Sequence, residues 1–532
     1  MGIKEDLEKR IPLYFSDFSD FFNLKVSASV LYMFFTSIGP AITFANLLQN
    51  ETDKEVGVLE VMFSTAICGC IVSLFAGQAL VIVGVTGPVS ILTIAIYSIA
   101  DAWDIKFLPF YAWSQIWAAI MLVVQAILNH CDMVPWVSRF SCEIFGVLIA
   151  SIYIYSGIAA IVSAFNGGSS NDIGIFSLLI SMGMLWTSIQ LSDAKKWVIT
   201  TSAIRDVIAD YGASVSLIFW TVVIYFPGAK DVGVEILDVP RQFGTTSGRD
   251  WFVDLGDLPA WAIFAAILPG FIIAVLFFFD HNVSSLLCQD PEFKLKKPSA
   301  FHWDYFVVGI CLLVTGILGI PPTNGLIPQA PLHTQSLLIR EVVEETDNTN
   351  STGTRAVKLK VVGAYEQRIS NLSTSVLIGL MCFNPFLKAI RLIPTSALSG
   401  LFLFMGISSF AGNQFAERLY LLITEPALRS SEHAFLDTVD FTELTKFTLM
   451  QLVICMTIFA ITFTPAAMVF PVLIGVLVPF RLVTIPKFFS AECVNALDPV
   501  THTAEVEPEK KEEGDDNGQV LELSPQAEAA DA

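Results

Sequence analysis

Charge is what this chain has least of. Asp, Glu, Lys and Arg supply 15% of its 532 residues, whereas a soluble domain carries about 25%. With 54% hydrophobic residues, it cannot cover a water-soluble surface, and a polytopic membrane protein is the class that remains. Positive charge is scarcer still. The 30 Lys and Arg face 50 Asp and Glu, a formal net charge of −20, which excludes a nucleic-acid surface. Only nine cysteines and six histidines are present. Their spacing fits neither a zinc site nor a disulfide framework. Cys68, Cys70, Cys311, Cys382 and Cys455 lie in apolar runs and read as small buried residues. No nucleophile–base pair and no phosphate loop stands out, so no enzyme, metal or cofactor is expected. Met1 to Asp20 lacks the apolar core of a cleavable signal. Asp6 stands where a myristoylation signal wants Ser or Thr.

What is present is organised around Val81-Ile82-Val83-Gly84-Val85-Thr86-Gly87-Pro88-Val89-Ser90-Ile91. This stretch sits in an uncharged run from Val61 to Ala100. A membrane crossing takes about 20 helical residues. The run is therefore too long for one span and too short for two with a full turn between them. Gly84, Gly87 and Pro88 break the helix, and a second apolar helix then begins. Pro suits a first helical turn, where its missing N–H had no partner. Thr86 or Gly87 serves as its cap. The segment reads as a half-helix that starts inside the bilayer, with open N–H groups and a positive dipole end facing a polar solute. A Pro-kinked ordinary span is the competing reading.

Taken in order, residues 1–25 form a short mixed-charge lead. Lys4, Lys9, Arg10 and Lys25 place it in the cytoplasm by the positive-inside bias. Residues 26–226 form a first membrane repeat and 227–257 an external loop. Residues 258–485 form a second repeat, and 486–532 an acidic, disordered cytoplasmic tail. Basic turns at Lys195–Lys196, Lys294–Lys297 and Lys388–Arg391 mark the inside. The sequons at Asn50 and Asn350 would lie outside, with the polar loop Glu341–Lys360. The total is about 14 segments, all α-helical. The short helices near Pro88 and near Ser370 are each third in a half of about seven, as in an inverted repeat whose broken helices meet at the midplane.

Asp280 is the most informative single residue. It stands near the middle of the apolar segment Leu268 to Cys288, after three Phe. A carboxylate there costs about 2.5–3.5 kcal/mol on insertion scales, so it calls for a partner, a proton or a watery cavity. A helix end at Phe279, with Asp280 at the surface, is the bland alternative. His281 beside it reads as a packing residue. Arg368 precedes the second short helix, where its permanent charge suits an anion at a helix start. A surface Arg paired with Glu366 competes with that reading. Ser370, Asn371, Ser373 and Thr374 offer caps at the same end. Arg139 and Glu143, four apart, read as a surface ion pair.

At these residues the chain resembles the bicarbonate-transporter (anion exchanger) superfamily, over nearly all of residues 8–490. The resemblance is carried by Arg10-Ile11-Pro12-Leu13-Tyr14-Phe15-Ser16-Asp17-Phe18, by Gly77 to Gly84 with Thr86-Gly87-Pro88, by Arg139-Phe140, and by Glu366-Gln367-Arg368-Ile369-Ser370. Phe279-Asp280-His281-Asn282-Val283-Ser284-Ser285 and Gly319 to Gln329 resemble fungal and plant borate transporters more closely. The resemblance implies seven plus seven inverted segments in a core and a gate domain, dimeric through the gate. It also implies a substrate site between two half-helix starts, facing the segment that bears Asp280. Thr86-Gly87-Pro88 resembles the animal exchangers and fungal members more than the plant proteins. The large soluble domain that precedes the first span in animal exchangers has no counterpart in the 25-residue lead.

The function expected is a secondary transporter that exports borate by alternating access. Its site residues are Asp280, Arg368, Thr86, Gly87, Pro88, Ser370 and Asn371. Its partners are borate or a related small anion, the lipid bilayer and a second copy of itself, with no nucleic acid. The plasma membrane is the expected location, with a vacuolar or endosomal one as alternative. Chloride/bicarbonate exchange in the same fold is the rival function. A non-transporting scaffold or receptor is the rival from another class, and the broken helices and Asp280 argue against it.

Overall fold

The computed structural model describes residues 2–21, 23–166, 171–327, 329–345, 356–426, 429, 436, 439–464, 466–498 and 520–521. Asn350 and nearly all of the acidic tail after Asp498 lie outside the described residues. The first half holds α1 (Gly2–Arg10), α2 (Leu24–Glu51), α3 (Val58–Phe75), β1 (Val83–Gly84), α4 (Gly87–Ala102), α5 (Phe107–Ile127), α6 (Arg139–Asn166), α7 (Asn171–Ser192) and α8 (Ser202–Val223). The second holds α9 (Ile267–Cys288), α10 (Phe301–Leu318), β2 (Asn324–Gly325), α11 (Gln329–Ser336), β3 (Leu338–Glu345), β4 (Ala356–Ala364), α12 (Ile369–Met381), α13 (Thr395–Ser408), α14 (Gln414–Ile423), α15 (Phe441–Ile461) and α16 (Phe470–Val483). Among the described residues, nine helical stretches are long and apolar enough to cross a membrane, and four shorter apolar helices accompany them.

The two halves repeat one plan: two long helices, a two-residue strand, then a short helix. The strands pair antiparallel, Val83 with Gly325 and Gly84 with Asn324. Leu326 N–H adds a bond to Ile82 O at 2.9 Å. Such pairing satisfies main-chain groups that no helix serves, as a non-aqueous interior requires. Helices then sort into two bundles. In one, α5 packs on α9 and α10, and α12 on α2 and α3. In the other, α13 packs on α6 and α7, α7 on α8, and α15 on α6. Small residues permit the close crossings. A Cβ at Gly406 of α13 would stand 2.8 Å from Ala150 O, and one at Gly270 of α9 2.8 Å from Ser114 O. Backbones that approach this closely gain packing contacts, the main attraction between helices in lipid.

The topology departs from the sequence reading in four places. The short helix that follows β2 is α11, whereas the sequence reading put the second half-helix at Ser370. α12 instead starts at the basic end of the molecule, where Arg368 N–H bonds Asp17 O at 3.0 Å. Second, the described parts of residues 338–366 are not an external loop: β3 and β4 pair antiparallel, and they and the exit from β4 lie on that same basic end. Lys25 Nζ bonds Leu338 O there, and the Glu366 carboxylate takes the Lys296 and Lys297 amides at 2.6 and 3.1 Å. Third, Lys388 and Arg391 sit with the loop 227–257 at the far end, where Leu237 N–H bonds Ile393 O at 3.0 Å and Asn384 bonds Arg241 O at 3.1 Å. Two cations weigh little against the course of α12, which runs from the basic end toward this far one. Fourth, the chain stays folded beyond 486. Asp498 is buried, and it receives Arg481 Nε at 2.7 Å and Phe140 N–H at 2.9 Å.

Candidate functional site

The site is built by the two strands. Gly87 follows Gly84 by three positions and Gln329 follows Gly325 by four, so α4 and α11 both begin beside the two-stranded ladder. From there α4 runs to the far end, where Lys106 pairs with Asp257. α11 runs to the basic end. Thr86 caps α4, its hydroxyl accepting from Val89 N–H at 3.4 Å, and Pro88 occupies the first turn. Two helix starts therefore bring their positive dipole ends toward one place beside the ladder.

α9 passes both starts, packing on β2, α4 and α11. Asp280 lies halfway along it, 2% exposed, on the helix that packs against the start of α4. Its Oδ1 has no partner. Neither does either ring nitrogen of His281, Ser284 Oγ, Asn324 Nδ2 or Gln329 Oε1, all on buried side chains. His281 and Ser284 back onto the ladder. A Cβ at Gly325 would stand 2.7 Å from Ser284 Cβ and 3.2 Å from His281 Cα. An unpaired buried polar group costs about 1–3 kcal/mol. A cluster of them around two helix starts makes this the candidate site.

The other predicted site residues lie outside this cluster. Arg368 is 2% exposed and bonds inward on every side. Its Nε meets Asp17 Oδ2 at 2.7 Å, and its other nitrogens take Ser73 O, Ala76 O and Gly77 O at 3.1, 2.5 and 3.3 Å. Those carbonyls are orphans of the α3 C-terminus, so Arg368 is a cap. The Tyr14 ring stacks beneath it at 4.9 Å. Asp17 also receives Lys297 at 2.5 Å and Arg10 at 3.5 Å. Burial pushes the Arg10 guanidinium below its ordinary pKa, and the Asp17 charge opposes that shift. Asp304 completes the knot by accepting the Gly77 and Gln78 amides.

Ser370 and Asn371 hold the strand that leads to the site. Asn371 Nδ2 donates to Val81 O at 2.6 Å. His333 of α11 bridges Leu80 O at 2.8 Å and Ser370 Oγ at 2.6 Å. A carbonyl can only accept, so Nδ1 carries the proton and Nε2 accepts from Ser370. Gln367 closes the loop through Ser370 Oγ at 2.7 Å and Ser370 N–H at 2.9 Å. Glu143 and Arg139 do form a 3.6 Å pair, and Glu143 also binds the fully buried Arg418 at 2.9 Å. Sequence reasoning missed Gln329, Asn324 and His333. The signal available was the Gly84-to-Pro88 pattern returning as Gly325 to Pro328. Among the described residues no cluster of His, Cys, Asp or Glu could hold a metal ion.

Two helical halves on one plan, each with a short helix that starts at the shared ladder, make up a polytopic helical membrane fold. The fold is that of the transmembrane domain of a cyanobacterium bicarbonate transporter, BicA. It superposes with a TM-score of 0.56 at 14% identity, covering 83% of this chain and 97% of that one. The family model described as HCO3- transporter integral membrane domain matches residues 1–170 and 165–502, and the chain belongs to this family. It is 35% identical to Boron transporter 1 of Saccharomyces cerevisiae, over 94% of this chain and 85% of that protein. It is 32% identical to Boron transporter 4 of Arabidopsis thaliana, over 93% and 86%. With the Band 3 anion transport protein of Homo sapiens it shares 27% identity, over 93% of this chain and 56% of that protein. The protein is therefore a multi-pass membrane anion transporter and not an enzyme.

Proposed function

We propose that this protein exports borate, which binds between the starts of α4 and α11 beside Asp280. The first helix bundle acts as the core, carrying the site, and the second as the gate; rocking of one against the other exposes the site to each side in turn. The observation that carries this reading is the buried Asp280 carboxyl, with Oδ1 unpartnered next to the α4 cap. Borate is an anion that also donates hydrogen bonds through its hydroxyls. The helix starts serve its charge. Asp280 Oδ1 and Gln329 Oε1, both buried and without partners, serve its O–H groups. Chloride has no proton to give them and would leave both acceptors bare, at about 1–3 kcal/mol each.

The test is boron content in cells lacking their own exporter, at fixed external boron. Wild-type protein should lower it and Asp280→Ala should not. Full rescue by Asp280→Ala would remove that residue from the route. Proteoliposomes loaded with borate, bicarbonate or chloride separate borate export from anion exchange; flux of chloride alone would overturn the substrate. We also propose a homodimer joined through the gate, in the plasma membrane. Crosslinking in native membranes and organelle fractionation check these two points.

A further inference from the structure

Tyr153 belongs to α6 in the gate bundle, yet its ring reaches the start of α4 in the core. A Cβ at Gly87 would stand 2.6 Å from Tyr153 Cε1 and 3.0 Å from its Oη. The hydroxyl therefore stands against the Gly87 backbone, at the first turn of α4. The ring is set between Phe44 of α2 and Phe402 of α13, at centroid distances of 5.5 and 6.1 Å. The Val89 amide is taken by Thr86, and Pro88 has none to offer. The Gly87 amide is thus a main donor left for an anion in the first turn, and a phenol oxygen stands close to that glycine.

We propose that Tyr153 is a latch. Its hydroxyl occupies the substrate's place on α4 while the site is empty, and so ties gate to core until an anion displaces it. This rests on the site reading given above. A neutral phenol oxygen makes a weaker bond to an amide than a charged oxygen does, so the anion wins the exchange when present. The empty site carries a conformational tax: only the fraction of molecules with the latch open binds substrate, and apparent affinity falls by that fraction. The same contact explains Gly87, because any side chain there would strike the ring.

The test uses full-length protein in proteoliposomes, with borate and, in parallel vesicles, bicarbonate as the transported anion. Kinetics are read on whichever moves. Tyr153→Phe keeps the ring between Phe44 and Phe402 and removes only the oxygen. Its KM should fall about three- to ten-fold as the tax is lifted; a KM equal to or above wild type overturns the latch. Gly87→Ala should block transport, and Tyr153→Ala in the same chain should restore part of it. No restoration, with both proteins monodisperse in detergent, overturns the close approach. Asp280→Asn separates the two readings. If it transports with wild-type kinetics, the site itself is wrong. If it is inactive while Tyr153→Phe keeps the wild-type KM, the latch alone is wrong.

Discussion

Two polar clusters of this protein are equally buried and opposite in character. Around Asp17, three cations, two further carboxylates and the carbonyls ending α3 satisfy one another almost completely. Around Asp280, at similar burial, five other polar atoms lack partners. Burial alone therefore does not mark function. A saturated cluster fixes the shape of the core bundle, and an unsaturated one of the same depth has been kept open at a cost in stability. Arg368 shows how easily the two are confused, since a buried Arg at a helix start fits either description.

The largest break in that comparison should come from Asp17→Ala. Removing one partner of a buried ionic group typically costs about 3–5 kcal/mol, and here Arg368, Lys297 and Arg10 would be left without their shared carboxylate. Yield of monodisperse protein and thermal unfolding in detergent should both drop sharply; unfolding unchanged from wild type would show that the knot does not hold the core. Asp280→Asn should do the reverse. Transport should fall about 10- to 100-fold, the equivalent of roughly 1–3 kcal/mol, while thermal stability holds or rises, because a costly buried carboxyl is gone. A variant that unfolds instead would move Asp280 into the structural class.

His333→Phe falls between the two. It removes the proton for Leu80 O and the acceptor for Ser370, a loss of about 1–3 kcal/mol. It should also raise KM for borate, since the strand entering the site loses a support; a purely thermal effect would separate the support from the site. The smallest effect belongs to Asp238→Ala, which breaks an exposed 2.8 Å pair with Lys54. Exposed pairs are worth about 0–1 kcal/mol. Transport and unfolding should both match wild type, and a measurable change would mean that the loop 227–257 matters more than its exposure suggests.

Asp280 and the Thr86-Gly87-Pro88 break were legible in the sequence because each violates a rule of the bilayer by itself: a charge at mid-span, and Gly and Pro in an uncharged run. Arg368 was not, because a sequence shows that a helix begins but not how deep. The sidedness of 338–366 and 384–394 was misread for a related reason. Basic residues bias a topology, while two short helices in succession shift every later assignment by half a crossing. Tyr153 left no trace in the sequence. It looks like one more aromatic in an apolar helix, and only the meeting of distant segments brings it to Gly87.

The ladder between Val83–Gly84 and Asn324–Gly325 carries one last implication. It is a rivet of main chain, and it couples the opening turns of both short helices. In the alternating-access cycle proposed above, these two anchor points would ride as a single carriage. A bound ion then keeps the same grip throughout the journey, and only the scenery around it changes.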